Sequence, residues 1–205
     1  MIELVIFDCD GVLFSSEPAN IAFYNEVLRR VGEPPLADAA EAACHALASA
    51  QLFEKYYGGQ PDLLARLRET AHAVDYGPYY DLMQPRDGLH ELLARLRRRY
   101  RTAMATNRGK TTRGVVERFA LEPLLDFVIG VLEVERPKPH PDMLLRCAEH
   151  FGLSPDRAVY VGDQANDARS AGAAGMHFIA MGTSAGEVEH RVSRLDELPA
   201  LLDRL

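Results

Sequence analysis

The sequence is poor in cysteine, in positive charge and in long apolar runs, and each shortage excludes a class of protein. Three scattered cysteines are too few for a disulfide framework or a zinc cluster, and they fit a reducing cytoplasm. The formal net charge of -7 at pH 7 argues against nucleic acid as a partner. No apolar run approaches the ~20 residues that cross a bilayer, and the N-terminus lacks the basic start and long apolar core of a signal peptide. We therefore predict a cytoplasmic protein with no nucleic-acid or membrane partner.

Five short apolar runs have the composition of buried parallel strands, and helical patterns separate them from about residue 86 onward. The runs are residues 3–7, TAMAT at 102–106, FVIG at 127–130, AVYVG at 158–162 and HFIAM at 177–181. Strands that alternate with helices predict an α/β fold, a Rossmann-like parallel sheet with helices on both faces.

Residues 15–83 break this alternation because their pattern is helical throughout. Helices are predicted at 18–30, at about 37–57 and at 61 to about 74, separated by the turns GEPP and GGQPD. We predict a small helical cap domain of residues 15–83, inserted into a sheet domain, the core, formed by residues 1–14 and 84–205.

Acidic and polar residues follow three of the predicted strands, where each strand ends. They are Asp8 and Asp10 after the first strand, Thr106 and Asn107 after TAMAT, and Asp163 and Asp167 after AVYVG. Ligands of an open parallel sheet bind at the carboxyl ends of its strands. The sequence therefore predicts a polar site at that edge.

The alternation of side chains along a strand places Asp8 and Asp10 on one side and directs Cys9 to the other, where we expect a buried, unreactive thiol. Together with Asp163 and Asp167, these carboxylates form a cluster of like charge that is costly without a cation. Mg2+, a hard ion that prefers oxygen ligands, is the predicted occupant.

Lys138, in the segment RPKPHPD, supplies a positive charge that could hold a nucleophilic carboxylate and a phosphoryl group together. The hydroxyl of Thr106 and the backbone N–H of Asn107 are predicted to reach phosphate oxygens. His140 follows closely, but with Pro141 and Asp142 it has the pattern of a helix start rather than of a metal ligand.

These segments, in this order, resemble the four motifs of the haloacid dehalogenase-like superfamily, in its phosphoglycolate phosphatase and β-phosphoglucomutase branch with a helical cap. The motifs are Asp8-Cys9-Asp10-Gly11-Val12-Leu13, Thr106-Asn107, Lys138 followed by proline, and Val161-Gly162-Asp163 with Asp167. The resemblance covers essentially the whole chain.

The resemblance implies a role for each motif residue. Asp8 is then the nucleophile, Asp10 the general acid and base, and Thr106 and Lys138 bind the transferred phosphoryl group. Dehalogenases of the superfamily lack the second aspartate, so Asp10 favours phosphate chemistry. Contacts with phosphate or substrate are expected for Gly11, Asn107 and Arg108. The expected Mg2+ ligands are Asp8, the backbone carbonyl of Asp10, and Asp163, with Asp167 near the metal, orienting Lys138 or capping a helix.

The predicted function is therefore Mg2+-dependent hydrolysis of a small phosphorylated metabolite through an aspartyl-phosphate intermediate. A sugar phosphomutase is one alternative, although the histidine that such mutases carry ten residues after the second aspartate is replaced by Asn20. A catalytically silent binding or regulatory protein is another. A phosphonatase would need a Schiff-base lysine in the cap, where Lys55 is the only lysine.

Overall fold

The computed structural model describes residues 1–205, which form two compact units. One unit comprises Met1–Phe14 and Pro85–Leu205, and the other comprises Ser15–Gln84. We call them the core unit and the cap unit. The observed second boundary lies one residue after the predicted one.

The core unit is built on a six-stranded parallel sheet. The strands of the chain are β1 Leu4–Phe7, β2 Phe14–Ser15, β3 Gln84–Pro85, β4 Arg101–Thr106, β5 Phe127–Gly130, β6 Ala158–Gly162, β7 His177–Met181 and β8 Arg191–Val192. The sheet has the order β5-β4-β1-β6-β7-β8, and each neighbouring pair is parallel. A separate two-stranded sheet pairs β2 with β3, where the chain passes between the units. The predicted α/β fold class is confirmed.

Ten helices accompany the strands. They are α1 Glu17–Val31, α2 Asp38–Ala43, α3 Ser49–Tyr57, α4 Pro61–Ala73, α5 Gly77–Tyr80, α6 Leu89–Leu96, α7 Thr112–Arg118, α8 Asp142–Phe151, α9 Ala165–Ala174 and α10 Leu198–Leu202. Short 3-10 turns are formed by Val131–Glu133, Pro155–Arg157 and Leu195–Glu197. No helix is long and apolar enough to cross a membrane.

Both faces of the sheet are buried, which explains why its strands are continuous apolar runs. Leu4, Ile6 and Tyr160 belong to a core cluster with residues of α8 and α9. The residues that alternate with them, such as Val5 and Phe7, are also buried. With both faces covered, the acidic residues of the predicted site follow the strands rather than lie within them.

The cap unit is helical, as expected, but its second predicted helix is two helices. Residues 37–57 contain α2 and α3, because Ala48 is extended with ψ of 150°. The side chain of Gln51 accepts a hydrogen bond from the Ala48 N–H at 3.0 Å and so caps a new helix. The intervening residues contain neither glycine nor proline, so the break has no strong sequence signal. Residues Gly77–Tyr80 form a further short helix, α5, which follows the last of the predicted helices.

Candidate active site

Asp8 and Asp10 lie immediately beyond β1 in a tight turn of the chain. The Asp8 N–H donates to the Val161 carbonyl at 2.9 Å, which continues the pairing of β1 with β6. The Cys9 N–H donates to Asp8 Oδ1 at 2.7 Å. Both carboxylates are buried, and the Cys9 side chain is fully buried. Burial raises the pKa of the Cys9 thiol well above its usual value, so that the thiol stays protonated.

Lys138 is a buried cation held by three oxygen atoms. Its Nζ lies 2.9 Å from Asp8 Oδ1, 2.8 Å from Asp167 Oδ1 and 2.8 Å from the Tyr160 hydroxyl. Burial lowers the pKa of the ammonium, but the carboxylates of Asp167 and Asp8 outweigh this effect and raise the pKa above its ordinary value. Lys138 is therefore a fixed positive charge beside Asp8.

The two oxygens of Asp167 have different partners. Oδ1 accepts a hydrogen bond from Lys138 Nζ. Oδ2 accepts hydrogen bonds from the N–H groups of Asp163 and Gln164, at 3.1 Å and 3.0 Å, where α9 begins. The Asp167 side chain thus contacts Lys138 and also accepts hydrogen bonds from the backbone N–H groups at the start of α9.

Asp8, Asp163 and Asp167 form an acidic triad whose ligand atoms lie within 4.8 Å of one another. Asp163 Oδ1 is buried and has no hydrogen-bond partner. Burial, followed by the charge of Asp167, raises the pKa of Asp163 to about 7. Burial also raises the pKa of Asp8, against the opposing effect of Lys138. An orphaned carboxylate oxygen among buried like charges fits a site for a divalent cation.

Glycines 11 and 162 allow the acidic residues to approach the backbone closely. Gly11 has φ of +77°, and a Cβ there would lie 2.2 Å from Asp163 Oδ2. A Cβ on Gly162 would lie 2.3 Å from the Asp167 Cβ. Gly11 thus lets the Asp163 carboxylate lie close to the backbone, and the predicted contact of Gly11 with phosphate stays a prediction.

The loop after β4 joins the predicted phosphate-binding residues to Lys138. Thr106 is buried, and its hydroxyl accepts a hydrogen bond from the Arg108 N–H at 3.2 Å. The Asn107 side chain accepts from the Lys138 N–H at 3.1 Å and donates to the Lys138 carbonyl at 3.4 Å. Asn107 therefore ties the two loops together, a role that its place in the motif did not indicate.

Arg108 is buried against Asp10 and makes a two-pronged ion pair with it. Nε donates to Asp10 Oδ2 at 2.8 Å, and Nη2 donates to Asp10 Oδ1 at 2.6 Å. Only 7% of Arg108 and 8% of Asp10 is exposed. The sequence predicted a contact between Arg108 and substrate, whereas in this structure its guanidinium holds the second aspartate of the motif. The Asp10 side chain accordingly lies outside the acidic triad.

Tyr160 is a site residue that sequence analysis did not identify. Its hydroxyl contacts Lys138 Nζ and lies 3.1 Å from both the Ala105 carbonyl and Asp167 Oδ1. The sequence did contain a signal for Tyr160, because a tyrosine within a buried apolar strand needs a hydrogen-bond partner for its hydroxyl. His140 precedes α8, and its carbonyl accepts a hydrogen bond from the Ser170 hydroxyl.

The acidic triad and Lys138 lie together at the strand ends of a parallel sheet, and comparison with known proteins identifies the family of this chain. The family model of haloacid dehalogenase-like hydrolases matches residues 5–181. A phosphoglycolate phosphatase from Chromobacterium violaceum is 30% identical over 199 residues, which cover 88% of this chain and 85% of that protein.

Two solved structures have the same architecture. A hydrolase of the superfamily, subfamily IA, variant 1, from Geobacter sulfurreducens is 33% identical with a TM-score of 0.77, covering 98% of this chain and 96% of that one. A structure described as a putative phosphoglycolate phosphatase from Lactobacillus plantarum has a TM-score of 0.86 at 22% identity, covering 98% of this chain and 99% of that one. This chain belongs to the haloacid dehalogenase-like hydrolase family, among its phosphoric monoester hydrolases.

We predict that Gly11→Ala removes the response to a divalent cation. The new Cβ would collide with Asp163, and the positive φ would add strain of about 1–2 kcal/mol. Gly32→Ala is the matched control, because φ is +82° there and nothing lies within 4 Å of a Cβ. In thermal unfolding with Mg2+ or with EDTA, Mg2+ should raise the Tm of the wild type and of Gly32→Ala but not of Gly11→Ala. An equal rise in both variants would contradict this description of the site.

We predict that Lys138→Met is strongly destabilising in the absence of metal. The substitution leaves Asp8 and Asp167 buried without their cation, which costs about 3–5 kcal/mol when one partner of a buried ion pair is removed. Lys55→Met is the control, since Lys55 is exposed and such changes stay within about 0.5 kcal/mol. Urea unfolding in EDTA measures the stability of both variants. Similar midpoints for the two variants would show that Lys138 does not hold the carboxylates together.

Proposed function

We propose that this enzyme hydrolyses a small phosphorylated metabolite with Mg2+, through an aspartyl phosphate on Asp8. The observation that carries the proposal is the fixed position of the Asp8 carboxylate. Its Oδ1 accepts hydrogen bonds from the Cys9 N–H and from Lys138, so that Oδ2 is the oxygen available to attack phosphorus. An oriented nucleophile beside a permanent cation suits phosphoryl transfer.

In the first step, Asp8 Oδ2 bonds to phosphorus, the ester bond breaks, and Asp10 gives a proton to the departing alkoxide. In the second step, Asp10 takes a proton from water, the water oxygen attacks phosphorus, and the bond to Asp8 breaks to release phosphate. Lys138, the Thr106 hydroxyl and the Asn107 backbone N–H stabilise the phosphoryl oxygens.

Mg2+, with Asp8, Asp163 and the Asp10 backbone carbonyl as its ligands, would supply positive charge that offsets the carboxylates and the phosphoryl group. Two findings support this assignment. The carboxylates of the triad converge, and Asp163 Oδ1 has no protein partner. Asp167 belongs to the triad, and its hydrogen bonds to Lys138 and α9 favour an orienting role.

Phosphoglycolate is the first substrate to test, because several relatives are named phosphoglycolate phosphatases. The mutase alternative gains no support at position 20. Asn20 is buried in the cap unit, where it accepts a hydrogen bond from the Tyr76 hydroxyl at 3.1 Å. The phosphonatase alternative requires an amine shielded from water, whereas Lys55 is exposed with its ammonium over the Tyr56 ring.

We predict that EDTA abolishes phosphate release from phosphoglycolate and from an aryl phosphate, and that Mg2+ restores it. The reason is that the three carboxylates of the acidic triad would otherwise repel the phosphoryl group. Colorimetric detection of inorganic phosphate measures the reaction. Release of phosphate also separates hydrolysis from a mutase, which returns the phosphoryl group to its substrate. Full activity in EDTA would contradict the proposal, and a catalytically silent protein would show no turnover under either condition.

We predict different defects for Asp8→Asn and Asp10→Asn. The first should abolish turnover because it removes the nucleophile. The second should lower kcat by about 10²–10⁴, the usual contribution of general acid-base catalysis. Glu91→Gln, an exposed position on α6, is a control that should leave kcat unchanged. Rapid-quench measurements of phosphoenzyme and product distinguish the two variants. Substantial turnover by Asp8→Asn would overturn the assignment of the nucleophile.

A further inference from the structure

The ion pair between Arg108 and Asp10 determines where the Asp10 carboxylate can point. Both oxygens of Asp10 face the guanidinium, at 2.8 Å and 2.6 Å. In the proposed reaction, Asp10 must instead reach the oxygen that joins phosphorus to the leaving group. Turning Asp10 toward that oxygen breaks at least one of the two bonds to Arg108.

The burial of Arg108 makes this movement costly unless another anion replaces Asp10. The side chain is 6% exposed, and breaking a buried, forked ion pair is strongly unfavourable. Arg108 Nη1 also lies 3.4 Å from the Thr111 hydroxyl. The backbone around Arg108 is itself fixed, because its carbonyl accepts hydrogen bonds from Val131 and Thr112.

A guanidinium that already binds one carboxylate in a forked geometry fits another carboxylate or a phosphate equally well. We propose that Arg108 selects substrates that carry a second anionic group, a carboxylate or a second phosphate, and that this group replaces Asp10 on the guanidinium and releases Asp10 to the reacting phosphoryl group. The inference rests on the phosphatase function proposed above, and it adds to that function a substrate class and the residue that recognises it.

The exchange has a kinetic consequence that simple binding lacks. A substrate without the second anion leaves Asp10 on Arg108, so the chemical step is impaired as well as binding. Such a substrate should therefore have a lower kcat and a higher KM. A subsite that only binds the second anion would change KM alone.

The experiment compares four phosphate esters with the Mg2+-loaded enzyme. They are 2-phosphoglycolate, with a carboxylate; ethylene glycol bisphosphate, with a second phosphate; 2-hydroxyethyl phosphate, with a neutral hydroxyl; and p-nitrophenyl phosphate as the activated reference. We expect kcat/KM of the wild type for at least one of the two doubly anionic esters to exceed that for the hydroxyethyl ester by about 10²–10⁴. The larger of the two ratios identifies whether the second anion is a carboxylate or a phosphate.

Variants of Arg108 attribute this preference to the guanidinium. Arg108→Met should lower the preference about 10²-fold or more, since it removes the cation. Arg108→Lys should restore part of it, because lysine keeps the charge but not the fork. Arg113→Met is the control, as Arg113 is exposed on α7, and it should keep the wild-type preference. Circular dichroism confirms that each variant is folded.

Several results would overturn the proposal. Equal kcat/KM of the wild type for the neutral ester and for both doubly anionic esters would overturn it, and no variant is needed for this result. A preference that persists in Arg108→Met would assign selection to another residue, and a preference expressed in KM alone would exclude the exchange with Asp10. Turnover of p-nitrophenyl phosphate with no preference leaves the phosphatase function intact, whereas no turnover of any ester refutes that function and this inference together.

Discussion

The contact of the buried Lys138 ammonium with Asp8 and Asp167 is the interaction on which the rest of the site depends. The free-energy cost of burying the ammonium or the carboxylates alone would be prohibitive. Their burial is tolerated because the ammonium lies 2.8–2.9 Å from both carboxylates. Tyr160 provides the third oxygen around the ammonium, and Asn107 fixes the backbone that carries it. The Asp8 carboxylate, which is the proposed nucleophile, is therefore positioned before any substrate binds, and this is the condition for electrostatic catalysis without reorganisation.

The charge balance of the core unit follows from that interaction. Lys138 compensates only part of the acidic triad, and burial together with the charge of Asp167 raises the pKa of Asp163, whose Oδ1 has no hydrogen-bond partner. Arg108 balances the remaining carboxylate, Asp10, in a separate pair. The site thus has two compartments. In one, Asp8, Asp163 and Asp167 converge at the proposed metal and phosphoryl site, and in the other, Arg108 holds Asp10, the proposed acid-base residue.

The sequence predicted the fold well where burial determines the pattern. Three of the five sheet strands that were predicted have the observed bounds, because strands buried on both faces are apolar along their whole length. The break between α2 and α3 was not predictable, since a side-chain cap from Gln51 produces it and no glycine or proline marks it. In the site, the aspartates could be found from their places at strand ends. The partners of Arg108, Asn107 and Tyr160 could not, because each depends on a contact between residues distant in the chain.

In the proposed mechanism, Asp8 is an oriented nucleophile that becomes phosphorylated. The most direct measurement is acid quenching during turnover of phosphoglycolate, reduction of the trapped acyl phosphate with borohydride, and peptide mapping by mass spectrometry. We expect conversion of Asp8 to homoserine in the wild type and no conversion at any aspartate in Asp8→Asn. Reduction at another carboxylate, or steady turnover with no trapped acyl phosphate at any time point, would contradict it.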